Sequence, residues 1–110
     1  MDIKPRNGPV AYIASACSGD IEGNTRKTKE YSKFAIRQGA VPINPILNLT
    51  GVLDEGTDRD LALSIDLALL ARADEVWVFG VPTEGMLIEC DEAAKRNIII
   101  RWFSEEMEEL

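Results

Sequence analysis

The chain has 110 residues, which suits one domain with one hydrophobic core, and 45% of its residues are hydrophobic. Its formal net charge of −7 would repel nucleic acid, and no apolar run is long enough to span a membrane, so neither is an expected partner. The chain has no histidine and its two cysteines lack metal-ligand spacing, which excludes a zinc site and a histidine-based catalyst and leads us to expect no metal and no cofactor.

The first predicted elements are a strand and a helix. Val10–Ser15 is a short, mostly apolar run that is typical of a strand buried in a parallel sheet. A turn-rich segment follows, and a helix is predicted from Asn24 or Thr25 to Gln38. Asn24 is the expected N-cap, and Gly39 is well placed just after the helix C-terminus.

The second strand and second helix come next. Ala40–Ile43 is a short strand, and Pro42 favours an edge position because proline cannot donate to a ladder. A loop is predicted to run to Gly56. Thr57–Asp60 has the form of a capping box, and the helix that it opens is predicted to end at about Arg72.

The second predicted helix is apolar on all sides. Asp66 is its only charged residue between Leu61 and Ala71. A helix of this kind is buried on more than one face, which predicts a homodimer or higher homo-oligomer. A carboxylate among leucines is costly if it is buried unpaired, so Asp66 either faces solvent or has a function, and the crowding favours function.

The last elements are a strand, a helix and a strand. Asp74–Phe79 is the third strand, and Gly80–Glu84 is its exit loop. A helix is predicted over Glu84–Arg96 with Thr83 as its N-cap. Ile98–Trp102 is the fourth strand.

The alternation of strands and helices predicts an α/β fold with a four-stranded parallel sheet in the order 2-1-3-4 and helices on both faces. Ligands in such sheets bind at the carboxyl ends of the strands, where the strand order reverses. The loops Ala16–Gly23 and Gly80–Gly85 meet there. We expect a single domain over 1–110, with a flexible N-terminus at 1–8 and an acidic tail at 103–110 of one or two helical turns.

Glu89 is the unusual acid of the third predicted helix. Asp91 and Glu92 each have a basic residue four positions on and are typical surface ion pairs, whereas Glu89 has Ala93 there. Helical projection places Glu89 at the border of the apolar face. A half-exposed surface residue and a functional carboxylate near the switch point are equally good interpretations of this pattern.

Other candidates are weaker. Ser15, Ser18 and Gly19 could offer hydroxyls and amides to a phosphate, and a plain turn explains them as well. Tyr12 is expected in the core with its hydroxyl at the strand end. Both cysteines are expected to be packed thiols rather than nucleophiles.

Four segments together resemble the nucleoside 2-deoxyribosyltransferase superfamily: Tyr12–Ser15, Gly39–Pro45, Asp66–Asp74 and Pro82–Glu89. The chain is also similar to deoxynucleoside-monophosphate N-glycosidases, in which an acidic, leucine-rich helix precedes a Pro-Ser-x-Gly-x-x-x-Glu turn. The likeness extends from residue 10 to about residue 102.

The resemblance implies a flavodoxin-like three-layer sandwich and cleavage or transfer of the N-glycosidic bond of a 2′-deoxynucleoside or its 5′-monophosphate. Glu89 would be the nucleophile, and Asp66 would position the sugar and support proton transfer. The substrate-binding residues would be Tyr12, Ser15, Ser18, Gly19, Thr83 and Gly85. The partner would be a small-molecule nucleoside or nucleotide.

The chain departs from that pattern in its first loop. Basic residues that bind a 5′-phosphate are missing and Asp20 stands nearby, which favours a nucleoside over a nucleotide. A catalytically silent module that binds a nucleoside or nucleotide in the same crevice is the alternative. A flavin-binding flavodoxin ranks below both, because no aromatic pair flanks a flavin. The polar N-terminus and the free thiols favour a cytoplasmic protein.

Overall fold

Eight helices and strands follow one another in the computed structural model, which describes all of residues 1–110. They are β1 (Val10–Ala14), α1 (Ile21–Arg37), β2 (Val41–Ile43), α2 (Pro45–Leu49), α3 (Arg59–Leu70), β3 (Glu75–Phe79), α4 (Glu84–Lys95) and β4 (Ile99–Phe103). No helix is both long enough and apolar enough to traverse a bilayer.

The sheet confirms the predicted topology. All four strands are parallel and lie in the order β2-β1-β3-β4. Tyr12 is in register with Ile43 on one side and with Val76 on the other. Pro42 lies on the edge strand, as expected. The order reverses between β1 and β3, so the carboxyl ends of these two strands flank the crevice.

Each face of the sheet carries its own hydrophobic core. One face, here called the aromatic face, packs against α1 and holds Ala11, Ile13, Tyr31, Ala35, Ala40, Trp77, Phe79 and Phe103. The other, here called the α3–α4 face, holds Tyr12, Ala14, Leu70, Val76, Val78, Met86, Cys90 and Ala93. Alternate residues of β1 and β3 point to opposite faces, as the period of a strand requires.

Helix α1 begins about one turn earlier than predicted. Asp20, not Asn24, is its N-cap, because the Asp20 carboxylate accepts a hydrogen bond from the Gly23 amide at 3.1 Å. The side chain of Asn24 instead donates to the Ser18 carbonyl, which ties the preceding loop to the helix. The C-terminal end is confirmed, since Gly39 follows with a φ of +90°.

Two further boundaries differ from the prediction. The segment after β2 was expected to be a loop but contains α2, whose N-cap is Asn44 and whose first residue is Pro45. The expected capping box at Thr57 does not form: Thr57 lies in a tight turn, where its amide donates to the Asp54 carboxylate, and the residue at the N-cap position is Asp58. Helix α3 begins at Arg59, after Asp58, whose side chain does not cap the helix and instead accepts a hydrogen bond from the Asp54 amide at 2.8 Å.

The C-terminal residues form no helix. After β4, which includes Phe103, the chain turns back, and Glu109 pairs with Phe103 in an antiparallel bridge. Arg101 donates to the Glu109 carboxylate through two nitrogens, at 2.9 and 2.7 Å. Its guanidinium also lies 4.6 Å from the centre of the Trp77 ring. The acidic tail is thus attached to the aromatic face.

Candidate active site

A cavity of about 150 Å³ opens at the carboxyl ends of β1 and β3. Its walls come from the loop after β1, from α2, from α3 and from the first turns of α4. The crevice therefore lies at the reversal of strand order, where parallel sheets bind ligands.

Glu89 lies inside this cavity, on α4. It is only 6% exposed, so it is more deeply buried than its border position in the helical projection suggested. The Tyr12 hydroxyl donates a hydrogen bond to its Oε2. Burial raises the pKa of Glu89 to about 7, while the Tyr12 hydrogen bond acts to lower it and the Asp66 charge to raise it.

Tyr12 provides a fixed donor for that carboxylate. It lies in the middle of β1 and has no exposed surface. Burial and the neighbouring charge of Glu89 raise the pKa of Tyr12 far above its ordinary value, so the phenol keeps its proton at any physiological pH. Tyr12 was expected in the core, and the resemblance placed it among the substrate-binding residues. It lies in the core but does not line the cavity, and its contact with Glu89 was not expected.

Asp66 lines the same cavity from α3. Its Oδ1 is buried and has no hydrogen-bond partner in the protein. Burial raises the pKa of Asp66 to about 6. A buried carboxylate oxygen without a partner is costly, and either a bound proton or a donor from a ligand would satisfy it.

The two carboxyl groups have similar environments. The roles of nucleophile and acid require an ionised Glu89 and a protonated Asp66, but the pKa values of both groups are raised, and that of Glu89 is the higher. The physical reason is that Glu89 is the more buried group. The Tyr12 hydrogen bond offsets only part of this desolvation.

Thr83 and Gly85 form the wall at the start of α4. The Thr83 hydroxyl accepts a hydrogen bond from the Met86 amide at 3.3 Å, which caps α4 as predicted. Both residues line the cavity. A Cβ atom added at Gly85 would meet no protein atom within 4 Å, so the protein's own packing does not require glycine there.

The loop after β1 contributes only part of its predicted residues. Ser15 and Ser18 line the cavity, whereas Gly19 does not. Gly19 adopts a φ of +88°, which suits its turn. Cys17 also lines the cavity and is exposed, which corrects the expectation of a packed thiol, while Cys90 is buried as expected.

Sequence reasoning missed the wall that α2 provides. Ile46 and Leu49 face the cavity from this helix. Asparagine followed by proline is a helix-start signal, with the cap residue before a proline at the first helical position, and it could have identified α2. The chain contains no cluster of three or more cysteine or acidic residues that could hold a metal ion.

Comparison with known families adds a family assignment. A family model described as a domain of unknown function (DUF7768) matches residues 9–103. The chain belongs to that family. The match covers all four strands of the DUF7768 domain and both carboxyl groups of the cavity. No curated protein matches the chain.

A solved structure shows the same fold. The DUF7768 chain is similar to a 2-deoxyribosyltransferase from the psychrotolerant bacterium Bacillus psychrosaccharolyticus, with a TM-score of 0.68 and 17% sequence identity. The likeness covers 86% of this chain and 72% of the transferase. The domain therefore has the flavodoxin-like α/β fold of nucleoside deoxyribosyltransferases, and the resemblance seen in the sequence holds at the level of the fold.

Proposed function

We propose that this protein cleaves the N-glycosidic bond of a 2′-deoxynucleoside, or transfers its deoxyribosyl group, with Glu89 as nucleophile. One observation carries the proposal: a buried carboxylate is held by the Tyr12 hydroxyl in the cavity that also contains the unpartnered Asp66 oxygen. The fold shared with a 2-deoxyribosyltransferase supports the choice of substrate class.

The first step would form a covalent intermediate. A Glu89 carboxylate oxygen attacks the anomeric carbon, the bond from that carbon to the base nitrogen breaks, and its electron pair leaves with the base. Asp66 in its protonated form gives its proton to the leaving base. The pKa of Asp66 is raised to about 6 and that of Glu89 to about 7, so the form with a protonated Asp66 and an ionised Glu89, which this step uses, is a minor one near neutral pH.

The second step releases the sugar. A water molecule attacks the anomeric carbon and gives its proton to Asp66, while the bond to Glu89 breaks and its electrons return to the carboxylate. If a second base enters instead of water, the product is a new nucleoside. Tyr12 keeps its proton throughout and stabilises the carboxylate form of Glu89 before and after the attack.

The charge of the cavity wall supports a nucleoside rather than a nucleotide. Asp54, Glu55, Asp66 and Glu89 line it, and Arg59 is the only basic residue among the lining. A phosphate dianion would be repelled by the net negative wall, whereas an uncharged sugar would not. The family of this chain has no described function, so the choice between nucleoside and nucleotide rests on the site alone.

The test is base release. Purified protein is incubated with each of the four common 2′-deoxynucleosides and their 5′-monophosphates, with and without a second free base, and the bases are separated by chromatography. We expect release from a nucleoside and a loss of at least ~10³-fold in Glu89→Ala. Glu92→Ala is the matched control, because Glu92 pairs with Arg96 on the surface of the same helix.

Two results would contradict the proposal. Release that persists in Glu89→Ala would remove the nucleophile assignment. Measurable binding of a nucleoside without release of base from any substrate would instead favour a silent binding module of the same fold.

A further inference from the structure

A row of polar side chains, of which Ser15 and Thr28 are buried and Asn44 is half-buried, lies behind the cavity wall. Ser15 Oγ is 2.8 Å from Thr28 Oγ1, and Asn44 Nδ2 is 3.0 Å from the same Thr28 oxygen. The row joins the end of β1, the middle of α1 and the cap of α2. Only Ser15 reaches the cavity.

The orientation of the Asn44 amide is fixed at the far end of the row. The Leu47 amide donates to Asn44 Oδ1 at 3.4 Å, as part of the cap of α2. An amide nitrogen could not accept that hydrogen bond, so the oxygen must face Leu47. The amide nitrogen therefore faces Thr28 and Ser32, and its two hydrogens serve three acceptors: Ser32 Oγ at 2.8 Å, the Thr28 hydroxyl at 3.0 Å and the Thr28 carbonyl at 3.1 Å.

The direction of the next hydrogen bond follows. Thr28 has no exposed surface, and the two neighbours of its hydroxyl are Asn44 and Ser15. A hydroxyl has one hydrogen to donate. Because Asn44 can only donate to Thr28, the Thr28 hydrogen goes to Ser15, which satisfies the buried group.

We propose that Asn44 and Thr28 fix Ser15 as a hydrogen-bond donor toward the cavity. Ser15 Oγ accepts from Thr28, so its own hydrogen is free and points away from the row. The ligand must place an acceptor oxygen there, namely a sugar hydroxyl or a base carbonyl. This inference rests on the proposed function only for the identity of the ligand as a nucleoside.

Reversing the direction of the hydrogen bonds along the row tests the inference. Asn44→Asp keeps a side chain that caps α2, since a carboxylate also accepts from the Leu47 amide. The new carboxylate has no hydrogen to donate to Thr28, so Thr28 donates to it instead, and Ser15 then donates to Thr28. The donor toward the cavity is lost without any change in Ser15 itself. We expect kcat/KM for the preferred 2′-deoxynucleoside to fall about two- to tenfold, the range of one neutral hydrogen bond.

Ser15→Ala provides the comparison that separates this effect from a general disturbance. The kcat/KM of Ser15→Ala should fall by the same factor as that of Asn44→Asp. The kcat/KM of the double variant Ser15→Ala/Asn44→Asp should fall no further than that of either single variant. Thr28→Ser keeps the hydroxyl and should retain the wild-type rate. Additive losses in the double variant would overturn the inference, because they would show that Asn44 acts on the site by a route other than Ser15.

The position of the acceptor can be read from substrate analogues. If Ser15 binds a sugar hydroxyl, the 3′-deoxy or the 5′-deoxy analogue of the preferred nucleoside should react equally well with wild type and Ser15→Ala. If the Ser15→Ala loss remains with both analogues, the acceptor belongs to the base.

A second measurement does not depend on activity. In NMR spectra of the free wild-type protein, the Thr28 hydroxyl proton should exchange slowly with water and show a nuclear Overhauser contact to Ser15, while the Ser15 hydroxyl proton exchanges rapidly. A slowly exchanging Ser15 hydroxyl proton with a rapidly exchanging Thr28 proton would overturn the inference. Absence of base release with the expected NMR pattern would contradict the proposed function and leave the direction of the row intact.

Discussion

The two faces of the sheet are built for different purposes, although they share the same strands. On the aromatic face, Tyr31 stacks on Phe79 and Phe79 stacks on Phe103, with centroid separations of 4.2 and 4.9 Å. The α3–α4 face has a cavity and two carboxyl groups whose pKa values burial raises. The first arrangement maximises apolar contact, and the second retains desolvated polar groups that weaken folding.

Alternation along β1 separates the two environments. Ile13 belongs to the aromatic face, while its neighbour Tyr12 belongs to the other face and reaches Glu89. Ile13 also lines the cavity, so the two faces differ in role but meet at the end of this strand. Substitutions of aromatic residues that do not line the cavity should change stability alone, and substitutions of the carboxyl groups on the α3–α4 face should change chemistry as well as stability.

The largest effect on stability is expected at Phe103. This side chain is 2% exposed and contacts Phe34, Trp77 and Phe79. Phe103→Ala should lower the free energy of unfolding by about 3–5 kcal/mol in urea titrations. Phe103→Leu, which fills most of the space, should cost less than about 1.5 kcal/mol. A loss below that figure for the alanine variant would show that the aromatic face is not the main source of stability.

Glu89→Gln should stabilise the protein at high pH. The folded pKa of Glu89 is about 7 against an ordinary value of 4.5, so the folded state binds more protons than the unfolded state between these values. Glu89 therefore makes its full contribution to the free energy of unfolding below pH 4.5, and this contribution falls by about 3 kcal/mol as the pH rises to 7. Glutamine cannot ionise, so the variant should be more stable than wild type by about that amount at about pH 8.

The control for this prediction is the same pair of proteins at low pH. Near pH 4 wild type and Glu89→Gln should unfold at similar urea concentrations, because the carboxyl is neutral there. A constant difference in stability between about pH 4 and pH 8 would show that Glu89 does not titrate at a raised pKa.

Tyr12→Phe should raise the pKa of Glu89 further. The hydroxyl of Tyr12 stabilises the carboxylate, and a hydrogen bond to a charged group contributes about 1.5–3 kcal/mol, which corresponds to a shift of about one to two pH units. Carbon-13 NMR of the labelled Glu89 carboxyl measures this directly, and the acidic limb of any activity should move upward with it. Tyr31→Phe, on the aromatic face, should leave the Glu89 titration unchanged.

The smallest effect on the fold is expected at the surface of α3. Leu61 is 52% exposed there, which fits the homodimer predicted from the apolar sequence of this helix. Leu61→Lys should change stability of the monomer by less than about 0.5 kcal/mol but should shift the mass in light scattering from dimer to monomer. Ile36→Lys, an exposed position on α1, is the control. A monomeric wild-type protein at micromolar concentration would contradict the dimer.

The strand order could be predicted from sequence because it depends on local signals. Alternating strands and helices, together with Pro42 at an edge, were enough to define the sheet. The start of α1 was mispredicted because two nearby polar residues, Asp20 and Asn24, could each cap a helix, and only the folded loop decides between them.

The burial of the site residues could not be predicted in the same way. Helical projection placed Glu89 at a border, but its burial depends on the contact with Tyr12, which lies 77 residues away in the chain. The row from Asn44 to Ser15 likewise depends on how α1 and α2 pack together. Contacts of this kind follow from the tertiary structure and have no signature in a local pattern.

The same separation in sequence makes the Tyr12–Glu89 pair a built-in reporter of cooperative folding. A helical segment around Glu89 that formed alone would leave the carboxyl in water, so the raised pKa, which comes from burial, exists only where β1 and α4 have docked. During urea titration of a Trp102→Phe variant, in which Trp77 is the one remaining tryptophan, the Glu89 carbon-13 shift should therefore lose its native position in the same transition as the fluorescence of Trp77 on the opposite face. One transition seen by both probes would establish that the domain unfolds as a single unit.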